Sequence, residues 1–196
     1  WRWLPRELGD IYLLTNVPEF QLRLVKRNHQ IVRTYRTIVG KPGRTATPQL
    51  AETVTAVVFN PTWTPPQSIV QGEGLGARVL ANPAWARSQG YVATRGTNGF
   101  ITVVQKPGAQ NPLGKLKVDM PNPHAIYIHD TNARNLFNSP NRALSHGCIR
   151  TENAESLGMI MAILGRGDLT DDERVSYATQ YKQLIDAGNY EKVKME

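Results

Sequence analysis

The first third of the chain carries the hydrophobic patterns of strands, and then the β pattern is lost. Phe20-Gln21-Leu22-Arg23-Leu24-Val25-Lys26 places every second residue on one face, the pattern of a half-buried strand. Ile11 to Val17 is a β-rich run ended by Pro18. Arg27 to Gln30 reads as a turn, and Ile31 to Val39 returns as the second arm of a hairpin. Gly40 to Pro48 is a loop rich in Gly, Pro and Thr. Val54 to Phe59 is a further strand, stopped by Asn60-Pro61.

From Pro65 to Asn98 the β pattern is lost. One or two short helices are expected between Gly76 and Gly90, around Arg78-Val79-Leu80 and Pro83 to Arg87. Residues 65–112 therefore read as an insertion between strands, and a long connection in a compact domain tends to act as a lid. Trp63, Trp85 and Tyr91 either contact a ligand there or form the insertion's own small core. Strands resume at Lys115 to Met120 and at Ala125 to His129. Asp130 to Leu144 is a polar, Asn-rich loop. A helix follows, with Asn153 as its expected N-cap and Leu157, Ile160, Met161 and Leu164 as its apolar stripe. Gly165 and Gly167 end it. Thr170-Asp171-Asp172-Glu173 is a capping box that opens a polar helix to about Ala187. The expected fold class is mainly β with α.

Length adds one constraint: 196 residues suffice for one well-buried domain carrying an insertion. The longest apolar run, Met159 to Leu164, is far short of the ~18 residues of a membrane span. No secretory leader is visible after Trp1, which fits a processed protein or a fragment. The net charge of +7 implies affinity for polyanions. The Lys and Arg residues are dispersed, however, and no nucleic-acid module accompanies them. An anionic cell-wall polymer fits this charge equally well.

The chemistry concentrates at Ser145-His146-Gly147-Cys148-Ile149-Arg150, which holds the chain's one cysteine. A lone thiol makes no internal disulfide. It is an inert small hydrophobe, a metal ligand or a nucleophile. A nucleophilic thiol needs a nearby base or cation. His129 ends a strand on which Tyr127 and His129 share one face, and the loop from Asp130 is long enough to bring Cys148 back to that imidazole. Gly147 permits close backbone approach. The amides of His146, Gly147 and Cys148 can then converge as an oxyanion hole, where one donor is worth ~2.7–4 kcal/mol. Arg150 shares a face with Cys148 if the chain is extended. Its charge would lower the thiol pKa and can fork onto a substrate carboxylate.

His129, fifteen intervening residues and the Ser-His-Gly-Cys-Ile-Arg segment resemble the signature of the L,D-transpeptidase catalytic domain, the YkuD family. The opening strands, Asn60-Pro61-Thr62-Trp63, Leu113-Gly114-Lys115, Ile128-His129-Asp130-Thr131 and Asn153 are similar to further landmarks. The resemblance covers most of the chain except parts of the insertion and the tail. It implies a β-sandwich-like core over residues 1–196, with residues 65–112 as a cap or lid and helices at the C-terminal end. It implies a peptidoglycan stem peptide as donor. Cys148 attacks the bond between a diamino acid and D-alanine, with His129 as proton donor and acceptor and His146 assisting or shaping the oxyanion hole with Gly147. Arg150, Tyr127, Ser145 and Asp130 are the candidate substrate contacts. Carbapenem inhibitors are implied as acylating ligands and the periplasm or cell envelope as the location. No cofactor, metal, nucleic acid or membrane span is expected.

Two departures stand out. Asp130 occupies a position where many members carry Gly or Ser, so either Asp130 or a backbone carbonyl would orient His129. Members like this add β structure after the last helices, and a chain stopping at Glu196 reads as cut before it. The alternatives weighed are a zinc site from Cys148, His146 and His129, which offers only three ligands, a sortase-like acyltransferase, and a non-catalytic wall-binding module. Sortase-like enzymes place more chain between His and Cys, and papain-like wall peptidases reverse their order. His29 and His124 read as polar surface residues.

Overall fold

The structure is a computed structural model that describes residues 5–26 and 28–195. Trp1, Arg27 of the expected first turn and Glu196 of the tail lie outside the described residues.

Three strands open the chain: β1 (Ile11–Asn16), β2 (Gln21–Lys26) and β3 (Gln30–Gly40). They form an antiparallel meander in which Leu22 and Leu24 turn fully inward, as the alternation predicts. The long β3 then hands the sheet on. Its Thr37 and Ile38 pair with β10 (Ile149–Thr151), and its last residues pair with β9 (Ala143–Ser145). The sheet continues through β8 (Ile128–His129), β7 (Leu116–Asp119), β4 (Ala56–Phe59) and β11 (Glu191–Lys194). All neighbours are antiparallel except β8 with β10 and β3 with β9. The chain is thus a mixed α/β domain with one large, mainly antiparallel sheet and C-terminal helices.

Helices α3 (Ala154–Leu164) and α4 (Asp171–Asp186) close the core. Leu157, Met161 and Ala162 of α3 bury against Val57, Leu116, Val118, Ile128 and Ile149. Each fully buried side chain of this kind contributes roughly 1.5–3 kcal/mol. Gly158 sets the approach: a Cβ there would stand 2.2 Å from Leu116 Cδ1. Tyr181 of α4 stacks on Phe59 with ring centroids 5.0 Å apart. Thr170 and Glu173 form the predicted capping box. Asn153 precedes α3 as predicted but sits at φ 53° and makes no side-chain cap, so its role is conformational.

The insertion departs from its expected composition. Helices α1 (Leu75–Ala81) and α2 (Pro83–Ser88) occur where short helices are expected, but a hairpin of β5 (Tyr91–Arg95) and β6 (Ile101–Gln105) follows. β5 was hidden because polarity does not mark its faces: Tyr91 and Ala93 pack inward, while the equally apolar Val92 between them is exposed. Val70, Val79, Ala86 and Val103 form a separate small core, with Trp85 and Tyr91 packed on it. The Arg78 guanidinium lies 4.0 Å over the Trp85 ring. These two aromatics serve the insertion's own core. At its base, Trp63 and Gln105 exchange two backbone hydrogen bonds of 2.9 and 2.7 Å. β11 supplies β structure after the last helix, where the sequence reading expected none.

Candidate active site

β8 is only two residues long because the chain before it is bent. Ala125 has φ 54°, and the Asn122 side chain clamps Ile126 at both its N–H and its carbonyl. The Ile149 amide donates to the Tyr127 carbonyl at 3.1 Å, and the parallel register sets Arg150 opposite His129. Cys148 therefore lies alongside Tyr127, with Sγ 3.9 Å from the Ala125 carbonyl oxygen. On the other side, antiparallel β7 sets Lys117 opposite His129. Tyr127 and His129 ring centroids are 5.4 Å apart, and Lys117 Nζ lies 4.6 Å over the Tyr127 ring. Tyr127, His129, Cys148, Arg150 and Lys117 thus gather on one face. No hydrogen bond joins Sγ to the His129 ring among the described residues.

The Ser145–Cys148 turn is held by its own first residue. Ser145 Oγ donates to the Cys148 carbonyl at 2.6 Å and accepts the Gly147 amide at 3.1 Å. Thr47 Oγ1 donates to the Gly147 carbonyl at 2.8 Å. Gly147 has φ +118°, and a Cβ there would stand 2.8 Å from Ile126 Cδ1. Two expectations change accordingly. Ser145 is buried and spent on the turn rather than presented to a ligand. The Gly147 amide is engaged, which leaves the amides of His146 and Cys148 as the candidate oxyanion donors. The His146 side chain is exposed and makes no hydrogen bond among the described residues.

Asp130 points away from the cluster. Its Oδ2 accepts the Lys115 amide and an Arg134 N–H, each at 2.9 Å, and no contact carries it to the His129 ring. The His129 Nδ1 has no hydrogen-bond partner among the described residues, although the Asp130 backbone lies near enough to favour the charged ring. The Asp130 carboxylate is therefore not the group that orients the ring.

Burial dominates the electrostatics. It pushes the His129 pKa down to about 3, helped by Arg150 and Lys117. Burial also pushes the Cys148 thiol up, against the Tyr127 backbone and hydroxyl, Arg150 and Lys117, which act downward. Tyr127 is raised, first by burial and then by the negative charge of an ionised Cys148. Arg150 is lowered by burial, and its Nε is unpartnered. The resting pair is consequently a neutral imidazole and a neutral thiol under two fixed positive charges.

Comparison with known proteins decides the family. Residues 10–162 match the L,D-transpeptidase catalytic domain, YkuD. The chain belongs to the L,D-transpeptidase catalytic domain family. A curated protein of Haemophilus influenzae named "Putative L,D-transpeptidase" is 32% identical over 164 residues, covering 76% of this chain. The chain spans about a third of that relative's length, 33%. Family membership makes this an L,D-transpeptidase catalytic domain. Within this cluster, sequence reading overlooked Lys117. Its signal was present, since Lys117 and Asp119 alternate with the buried Leu116 and Val118. Thr47 carried no signal at all, lying a hundred residues from the turn it fastens. Among the described residues no group of three or more His, Cys, Asp or Glu side chains converges as a metal requires. No helix among them is long and apolar enough to cross a membrane.

Proposed function

We propose that this domain joins peptidoglycan stem peptides through an acyl-enzyme on Cys148. The supporting observation is that Cys148 and His129 face the same side of adjacent parallel strands, flanked by Arg150 and Lys117. Sγ attacks the carbonyl between the diamino acid and the terminal D-alanine of a donor stem. The thiol proton passes to His129 as the carbon–sulfur bond forms, and His129 returns it to the leaving D-alanine amine. Because both partners rest neutral, this transfer accompanies attack rather than preceding it. The amides of Cys148 and His146 receive the developing negative charge. Arg150 holds a donor carboxylate and Tyr127 lines the thiol. An amine of a second stem then resolves the thioester into a cross-link.

The same acyl-enzyme would serve a 1–3 cross-link, attachment of a lipoprotein or hydrolysis. Residues 65–112 act as a cap over the donor, hinged where Trp63 meets Gln105. Carbapenems acylate the same sulfur, and the cell envelope is the working location. Intact-mass spectrometry after meropenem tests the reading. The wild type is expected to gain one adduct and Cys148→Ala none. An adduct of equal yield on Cys148→Ala removes the nucleophile assignment.

A further inference from the structure

The Tyr127 hydroxyl lies close enough to Sγ to oppose the upward push of burial on the thiol. The Ile149 amide secures the Tyr127 carbonyl from the β10 side at 3.1 Å, but the β7–β8 ladder ends one residue short, at the Val118–Ile128 pair. Before Tyr127 the chain is bent rather than extended, with Ala125 at φ 54°. On the β7 side a side chain takes over. Lys117 stands opposite His129, and Tyr127 lies two residues before His129 on the same face, so Lys117 reaches the phenol diagonally. Its Nζ lies 4.6 Å over the Tyr127 ring, where a cation is drawn to the π face.

Lys117 is itself anchored. Its Nζ lies 2.7 Å from Asp119 Oδ1, and Lys192 Nζ of the edge strand β11 lies 3.0 Å from Asp119 Oδ2. A lysine stem is flexible, and this doubly paired carboxylate removes that freedom. A chain of contacts thus runs from the sheet edge through Asp119 and Lys117 to the ring beside the sulfur. At the other end of the ring, Trp63 meets the hydroxyl. An indole N–H only donates, so the phenolic hydrogen is left for the sulfur. Burial, and then the charge of an ionised Cys148, keep the phenol protonated. A fixed O–H donor favours the negative charge that builds on Sγ as its proton leaves for His129. We propose that Lys117 is a positioning residue that holds the Tyr127 hydroxyl against Sγ while the thiol is deprotonated. The role rests on the acyl-enzyme reading of Cys148 and requires no contact between Lys117 and the substrate.

Stopped-flow acylation by meropenem tests this in wild type, Lys117→Met, Tyr127→Phe and the double variant. Lys117→Met is expected to lower the acylation rate constant roughly tenfold and to leave the half-saturating meropenem concentration unchanged. Because Lys117 acts through the hydroxyl, the same substitution in Tyr127→Phe should cost no more than about threefold, which is left by its direct charge on the sulfur. Lys117→Arg keeps a cation over the ring and should recover most of the rate. Equal costs in the two backgrounds overturn the positioning role, since Lys117 would then act on the sulfur by charge alone. A raised half-saturating concentration with an unchanged rate constant also overturns it, by making Lys117 a ligand contact. A wild type that gains no adduct fails at the earlier step and removes the acyl-enzyme reading. An adduct formed at an unchanged rate in Lys117→Met removes the positioning role alone.

Discussion

Arg150 stands directly opposite His129 in the parallel pairing of β10 with β8, so a half-buried guanidinium faces a fully buried imidazole. The two cannot comfortably be cationic together. Arg150 holds its charge, because guanidinium is the harder group to neutralise, and His129 stays neutral. The same positive charge acts downward on the Cys148 thiol. One arginine therefore favours a proton acceptor on one neighbour and a proton donor on the other.

Replacing that charge should separate its two effects. In Arg150→Met the thiol is expected to titrate at higher pH, because a nearby opposite charge typically lowers an acid by ~1–3 pH units. Alkylation of Cys148 by iodoacetamide at pH 8 should slow by about tenfold. Fitting alkylation rate against pH in both proteins measures the displacement. Coincident curves would mean that Arg150 exerts no field on the sulfur.

His129 makes stability depend on acidity. Its folded pKa of about 3 lies below the ordinary value of 6.5, so the unfolded chain binds the proton more readily between them. The contribution of the buried neutral ring is complete above pH 6.5 and is lost progressively as pH falls toward 3. Its full size is on the order of 5 kcal/mol. Urea unfolding at pH 7.5 and 4.5 should show a larger loss in wild type than in His129→Gln. Equal losses would show the ring to be solvated. With the ring neutral through that range, acylation should be nearly flat from pH 5 to 7.5.

His129 and His146 are expected to differ sharply in acylation. His129 is buried among Tyr127, Lys117 and Arg150, whereas His146 is exposed and unpartnered among the described residues. Loss of a general base costs ~10²–10⁴ in rate. Stopped-flow acylation by meropenem should fall by that factor in His129→Ala and by less than tenfold in His146→Ala, with circular dichroism unchanged in both. A collapse in His146→Ala alone would transfer the base role.

The parts legible in the sequence were those whose signal is local. Leu22 and Leu24 announce β2 by alternation, and Thr170 with Glu173 announce α4 by a cap. That the chain around Cys148 returns to the strand of His129 was suggested by a strand end, a long polar loop and a glycine turn, and β10 does pair with β8. What stayed hidden depends on distant partners. β9 and β10 are three residues each and exist only because β3 and β8 pair with them. Glu191 to Lys194 is mostly charged and becomes a strand by completing the edge of β4. Asp130 looked like an orienting group for its neighbour. Alternation along a strand sends adjacent side chains to opposite faces, which is why it meets Lys115 and Arg134 instead.

Asn60 should matter for stability although it lies outside the site. Its Nδ2 donates to the carbonyls of Leu184 and Asn189 at 3.1 and 2.8 Å, closing the C-terminal end of α4. It also sits at φ 46°, where Asn is tolerated better than Ala. Asn60→Ala loses both, and the buried carbonyls lose their donor. A destabilisation of about 2–4 kcal/mol is expected by urea unfolding. Asn60→Gly, which keeps only the backbone freedom, should recover part of it. Equal losses in the two variants would assign the whole effect to the hydrogen bonds.

Gly147 joins the fold to the chemistry most tightly. Its φ of +118° excludes an ordinary L-residue, and Ile126 Cδ1 occupies the place of a Cβ. Its carbonyl is fastened by Thr47 and its amide by Ser145. Alanine here must twist the turn, and the atom next displaced is the Cys148 amide, followed by its sulfur. A displacement near 1 Å costs ~10²-fold in rate. Gly147→Ala is therefore expected to lose at least that much acylation. Shortening the obstructing side chain in Gly147→Ala with Ile126→Val relieves the contact but not the backbone angle. The double variant should regain packing stability by thermal unfolding while acylation stays low. Recovery of acylation as well would show that Ile126, and not the left-handed backbone, dictates glycine beside the nucleophile.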